Sequence, residues 1–247
     1  MVKYYQKYHD IVFMDATYNS NKQNLALVFI SSVSSEGKNI VLGVGLLARE
    51  TTEHYQWFLR KMVEFAGGIE PDTFMTDFDS SMCGAIESTF KNTTHFLCQW
   101  HMMLNFKKNF MFLSKRKNAY AKTTYNHIMD TIFTENPSRF QELQDIIFST
   151  PDQLSDTNYN YLRGIFQIKE KWSTCHQPNI FTAGIHTISR AESTNSMIKH
   201  RLKGQKPLKE LLMVIMEVER KVIETTIEEH KGRVVFRIHN PLLKNLC

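Results

Sequence analysis

The chain has 247 residues, 42% of them hydrophobic and 22% charged, and a formal net charge of +5. That length allows a sizeable core, as one large domain or a core with an insertion, and the composition excludes a disordered or fibrous chain. The basic excess permits a nucleic-acid partner without arguing for one, and the longest apolar run, Leu25 to Ile30, is far too short for a transmembrane helix, so no membrane partner is expected. Four irregularly spaced cysteines (Cys83, Cys98, Cys175, Cys247) do not make a disulfide framework, and no charged-then-apolar leader opens the chain, which points to an intracellular protein.

The first strand signal is Ile11-Val12-Phe13-Met14, which passes through a core and then delivers Asp15; a strand starting this early suits a domain cut from a longer chain. Aspartate is depleted in strands, and a buried ionised one costs several kcal/mol unless a cation or hydrogen-bond donors compensate it. Asp15 therefore either caps a strand end or helps to hold a metal. The turn cluster Asn19 to Lys22 precedes a strand over Leu25–Ser31, and Ser34 to Lys38 precedes another over Ile40–Leu47. Three strands joined by short turns predict an antiparallel meander.

The period then changes from two to 3.6. Tyr55, Phe58, Leu59, Met62 and Ala66 share a helical face that Gly67-Gly68 ends. A strand over Thr73–Thr76 again finishes on a carboxylate, Asp77, before a helix marked by Met82, Ala85, Ile86 and Phe90, and His95–Cys98 reads as a fifth strand. The order βββαβαβ predicts an α/β fold, a mixed five-stranded sheet covered by helices. It also sets Asp15 and Asp77 at the C-terminal ends of strands, where open α/β sheets bind ligands.

From His101 to about Gly184 the pattern is helical without strand signals, and Lys107, Lys108, Lys115, Arg116 and Lys117 are its most basic part. Helix resumes at Ser189-Arg190-Ala191-Glu192 and runs through Ile198; a last helix follows Pro207, with Leu208, Leu211, Leu212, Ile215, Val218 and Val222 on its apolar side. The expected organisation is a core over 1–100, a helical insertion over 101–185, and completion of the core with C-terminal helices over 186–247.

Five pieces in order resemble the Mutator-like (MULE) transposase domain, a DDE transposase with a ribonuclease H-like core. They are Asp15-Ala16-Thr17-Tyr18 with Asn21 and Leu25; Leu46 to Thr51 followed by Trp57; Met75-Thr76-Asp77; Cys98-Gln99-Trp100-His101 with Asn105; and Arg190 to Asn195. The resemblance implies Asp15, Asp77 and Glu192 as catalytic carboxylates that hold two Mg²⁺ or Mn²⁺ ions, with Glu50, Cys98, His101 and Asn195 as accessory candidates. It further implies a ribonuclease H-like sheet interrupted after its fifth strand, double-stranded DNA as partner at transposon ends and target, a homo-oligomer, and the nucleus. Two ions about 3.5–4 Å apart would neutralise the attacking and leaving oxygens of a phosphodiester and activate the nucleophile.

Plainer readings stand beside these. Ser189-x-x-Glu192 is a capping box, Asp77 or Asp79 could cap the helix that follows, and Glu50 sits just before a helix whose dipole favours an acid. Cys98-x-x-His101 has the spacing of half a structural Zn²⁺ site, with Cys175-His176 as a second half if the insertion folds back; a core cysteine beside a hydrogen-bonded histidine is the preferred alternative. Lys107, Lys108, Lys115, Arg116, Lys199 and Arg201 suit DNA phosphates, and equally a solvated helical face. Within these residues there is no zinc module of the WRKY or FLYWCH kind and no SWIM arrangement, which implies terminal-repeat recognition supplied elsewhere or lost. The rival function is a domesticated regulator that binds DNA or protein and no longer cuts, as in plant factors of the far-red response type.

Overall fold

The computed structural model describes residues 2–17, 23–35, 37–149, 154–177 and 186, and isolated positions between 207 and 220. A short helix α1 (Val2–Lys7) leads into β1 (Ile11–Thr17), β2 (Ala26–Val33) and β3 (Asn39–Leu47); then come α2 (Thr52–Phe65), β4 (Thr73–Thr76), α3 (Ser80–Thr89) and β5 (Thr94–Leu97). The sheet order is β3-β2-β1-β4-β5. β1, β2 and β3 pair antiparallel, while β4 runs parallel to β1 and β5 parallel to β4. This is the mixed sheet of a ribonuclease H-like core, as the element order predicts: tight turns close the meander and crossover helices join the parallel strands.

Alternation along β1 separates two cores. Val12 and Met14 pack with Val28, Ile30 and Phe74 against Tyr55, Phe58 and Leu59 of α2 and Met82, Ala85 and Ile86 of α3. Ile11 and Phe13 face the opposite side with Met75, Phe96 and Cys98. A one-residue slip of β1 would exchange those faces, so its register is strongly specified.

After β5 the described chain is helical: α4 (Gln99–Lys115), α5 (Ala119–Phe133), α6 (Pro137–Phe148) and α7 (Asp156–Gln167), then single 3₁₀ turns at Lys169–Lys171 and Thr174–His176. Asn118, Asn136 and Ser155 cap α5, α6 and α7, each accepting from backbone N–H groups of the first turn. Phe106, Phe110, Phe140, Phe166 and Trp172 form the centre of this layer. Trp172 meets Phe106 edge-on at 5.6 Å and donates its indole N–H to the Ile165 carbonyl at 3.0 Å. The layer is fastened to the rest by the Lys171–Glu87 ion pair onto α3 and by Leu97 of β5, which packs in its core; within the layer the buried Gln99 amide of α4 donates to Thr174 Oγ1 at 2.7 Å.

Strands β2, β3 and β5 shift from the sequence reading by one or two residues at their ends, and two helices differ more. Helix α1 has no sequence signal, being too short for a period to show; it is held by Tyr5, which donates to the Ile69 carbonyl at 3.2 Å, and by Gln6, which donates to the Ala66 carbonyl at 3.3 Å. Helix α4 starts at Gln99 rather than His101, because Gln99 is drawn into the interface with the 3₁₀ turns. The helix expected over 189–198 lies outside the described residues. Beyond Pro207, the described positions Lys209, Glu210, Met213, Val214, Met216, Glu217 and Arg220 are helical. Among the described residues no helix is long and apolar enough to cross a membrane.

Candidate active site

Strands β1 and β4 lie side by side and parallel, with Ile11 opposite Thr73 and Phe13 opposite Met75. Continued two residues past its last pair, that register leads to Asp15 on one strand and Asp77 just beyond the other, and the Asp15 charge is felt at Asp77. Phe13 and Met75 anchor the pair in the small core on one face, and two residues on the chain leaves that core. Both carboxylates are half-buried there.

Two more acids converge on the same place. Glu50 directly precedes Thr51, the N-cap of α2, and Asp79 caps α3 by accepting from Met82 N at 2.8 Å. The charges are mutually felt. Burial, then Asp79 and Asp77, and more weakly Asp15, push the Glu50 carboxyl up to about 7, against a hydrogen bond from Tyr55. Burial likewise pushes Asp77 up to about 6, with His101 on the first turn of α4 opposing and Asp15 and Asp79 assisting. Among the described residues none of Glu50, Asp77 and Asp79 is paired with a lysine or arginine, and Asp77 Oδ1 and Glu50 Oε1 are buried without a hydrogen-bond partner. Buried acceptors in that state cost about 1–3 kcal/mol each. Carboxylate oxygens are the donors a hard divalent cation takes, and Asp77 Oδ1 and Glu50 Oε1 have lone pairs to offer; among the described residues no three of these acids bring ligand atoms within 4.8 Å of one another.

The backbone under Asp77 is fixed by residues that carry no charge. Thr76 Oγ1 donates to the Asp77 carbonyl at 2.7 Å and lies 2.9 Å from His95 Nε2. The hydroxyl proton is thus used, so His95 must donate through Nε2–H and stay neutral; burial, with Lys171 second, pushes it down to about 4. Neither His95 nor Tyr55 was singled out for the site from sequence. A histidine inside a short strand is a weak signal, and Tyr55 is hidden among the apolar positions of α2.

Of the remaining expected residues, Glu192, Asn195, Lys199 and Arg201 lie outside the described residues. Cys98 is fully buried among Phe13, Met75 and Phe96. Cys175 lies elsewhere, in the helical layer, with its sulfur 3.0 Å from His176 Nδ1 and 3.2 Å from Ser173 Oγ. Among the described residues Cys98, His101, Cys175 and His176 do not converge as a metal-binding group. Lys107 is half-buried on α4, while Lys108, Lys115 and Arg116 are exposed, Arg116 with its guanidinium 5.3 Å above the Phe112 ring.

Sheet order and the placement of the helices together define a ribonuclease H-like α/β fold. Residues 11–105 match the MULE transposase domain, so the resemblance carried by the motifs is borne out; the match contains Asp15, Glu50, Asp77, Cys98 and His101 and ends before Glu192. The chain is 25% identical over 208 residues to the protein FAR-RED IMPAIRED RESPONSE 1 of Arabidopsis thaliana, covering 84% of this chain and 24% of that one. It is also 25% identical to the protein FAR1-RELATED SEQUENCE 4 of the same plant, covering 84% and 28%. The chain thus spans about a quarter of the length of these relatives. The catalytic domain of the Mos1 mariner transposase aligns with 71% of this chain and 86% of its own, at 17% identity and a TM-score of 0.29.

Proposed function

We propose that the chain is the catalytic domain of a DDE-type transposase, which cuts DNA phosphodiesters at transposon ends and joins the freed 3′-hydroxyls to target DNA. The observation that carries the reading is that Asp15 and Asp77 follow the paired stretch of β1 and β4 at the same end of the sheet and feel each other's charge, beside one buried oxygen each of Asp77 and Glu50 that no donor among the described residues satisfies. Asp15, Asp77 and Glu192 would hold Mg²⁺ or Mn²⁺, with Glu50 as an accessory acid. Such ions supply charge neutralisation on the attacking and leaving oxygens and a more acidic nucleophile.

The chain's own groups do the rest. The parallel strands fix the spacing of Asp15 and Asp77, Tyr55 orients Glu50, and the His95–Thr76 contact holds the Asp77 backbone still. His101, whose charge acts on Asp77, is placed to orient a phosphate or water. Lys107, Lys108 and Lys115 on α4 and Arg116 at its C-cap span roughly 14 Å at 1.5 Å per residue, and suit backbone contacts with double-stranded DNA. Lys199 and Arg201 extend the same role, pairing of two element ends calls for a homo-oligomer, and the DNA substrate places the protein in the nucleus.

Calorimetric titration of Mn²⁺ into the wild-type chain and into Asp15→Asn/Asp77→Asn tests the metal assignment. Binding that weakens at least about tenfold in the variant supports it; identical isotherms, from variants with unchanged circular dichroism, refute it. One observation favours a second reading, a domesticated DNA-binding regulator: of two relatives matched over 84% of the chain, one is named for a far-red response and the other as a FAR1-related sequence. In that case DNA binding persists and nicking is absent.

A further inference from the structure

We propose that His9, Asp10 and Asp72 form a second cation site, at the end of the sheet opposite Asp15 and Asp77, that takes one divalent transition-metal ion of the zinc type. One ligand atom from each of the three lies within 4.8 Å of the other two. They come from three segments: His9 follows α1, Asp10 precedes β1 and Asp72 precedes β4. Backbone bonds hold them in place, because Asp72 N donates to the His9 carbonyl at 3.2 Å, Thr73 N to the Asp10 carbonyl at 3.1 Å, and Thr94 N to the Asp72 carbonyl at 2.9 Å.

The chemistry of the three side chains points to an ion. His9 Nδ1 lies 3.2 Å from the Gln6 carbonyl, which can only accept; the proton is therefore on Nδ1 and Nε2 keeps its lone pair. A histidine ligand anchored through its other nitrogen to a carbonyl is the usual arrangement around bound metal. Asp10 and Asp72 repel each other at this range, and among the described residues neither has a lysine or arginine partner. Glu70, which could have joined them, is committed to Lys91 N and Asn92 N at 3.1 and 3.2 Å. One imidazole nitrogen with two carboxylates is too nitrogen-rich for Mg²⁺ or Ca²⁺ and suits Zn²⁺, with water completing the coordination at this open position.

The site is separate from the acidic crevice. Asp10 and Asp15 are five residues apart on an extended strand, roughly 17 Å at 3.3 Å per residue. An ion here would clamp the end of α1 to β1 and β4, and would stabilise the folded chain by mass action without entering the cutting reaction.

The test is titration of ZnCl₂ into the tag-free, EDTA-stripped full chain, followed by thermal unfolding. It is run in the wild type, in Asp15→Asn/Asp77→Asn, and in His9→Gln, Asp10→Asn and Asp72→Asn, with circular dichroism as the folding control. The expected result is one equivalent of zinc and a raised Tm in the wild type and in Asp15→Asn/Asp77→Asn. Affinity should fall at least about tenfold in each of the three single variants. No stoichiometric zinc in the wild type, or wild-type affinity in a folded His9→Gln, overturns the proposal. Because the double variant replaces the two aspartates central to the proposed catalytic site, zinc binding that persists in it distinguishes this site from the catalytic ions.

Discussion

At the scale of single residues, the acidic crevice is held under electrostatic tension. Glu50, pushed up to about 7, and Asp77, pushed up to about 6, keep protons in the folded chain that the unfolded chain releases near pH 4. The unfolded state therefore binds fewer protons across this window, and stability of the metal-free chain declines as pH rises from about 4 to about 7. Glu50→Gln removes one of these groups. In EDTA it should raise the Tm at pH 8 and leave it nearly unchanged at pH 4, and an equal shift at both pH values would show that Glu50 lies outside the charge cluster. His95 acts in the opposite sense: neutral in the fold and pushed down to about 4, it destabilises the fold as pH drops below about 6.5. The two effects separate because only the first responds to Glu50→Gln.

At the scale of elements, a few contacts decide whether the strands and helices present those residues correctly. Asp79 is the cap of α3, accepting from Met82 N at 2.8 Å, which leaves Asp77 uncommitted to the helix. Asp79→Ala should cost about 1 kcal/mol while Asp79→Ser, which can still cap, should cost much less; thermal unfolding that ranks the two equally would contradict the capping role. On the other flank, α2 lies so close to β3 that a Cβ on Gly45 would meet Phe58 at 2.5 Å, whereas a Cβ on Gly43 finds only Ile30 at 3.8 Å. Gly45→Ala should therefore destabilise by about 1–3 kcal/mol and Gly43→Ala by far less, measured by urea unfolding. The elements themselves were largely legible in the sequence. Tyr55, Phe58, Leu59 and Met62 repeat at helical spacing, and the strands bearing Asp15 and Asp77 show as short apolar runs. By spacing alone Glu50 reads as a residue before a helix, and only the family resemblance makes it an accessory candidate, because its place beside Asp77 depends on how α2 crosses the sheet. Helix α1 was not legible, since its anchors, the carbonyls of Ile69 and Ala66, lie some sixty residues away.

At the scale of the whole molecule, the helical layer has its own core, which Leu97 of β5, Phe78 and Cys83 enter from the sheet side, and Lys171 pairs with Glu87 of α3. His101 sits where the two meet, at the start of α4, so the helical layer reaches the acidic crevice through α4. The account's central claim is that this crevice cuts DNA through its carboxylates. Nicking of supercoiled plasmid in Mg²⁺ or Mn²⁺ by the wild type, Asp15→Asn and Asp77→Asn tests it most directly. The account predicts nicking by the wild type and a loss on the order of 10³-fold in each folded variant, because each removes ligand charge where the transition state is stabilised. Nicking that survives both substitutions, or a folded, metal-loaded wild type that does not nick at all, would contradict it.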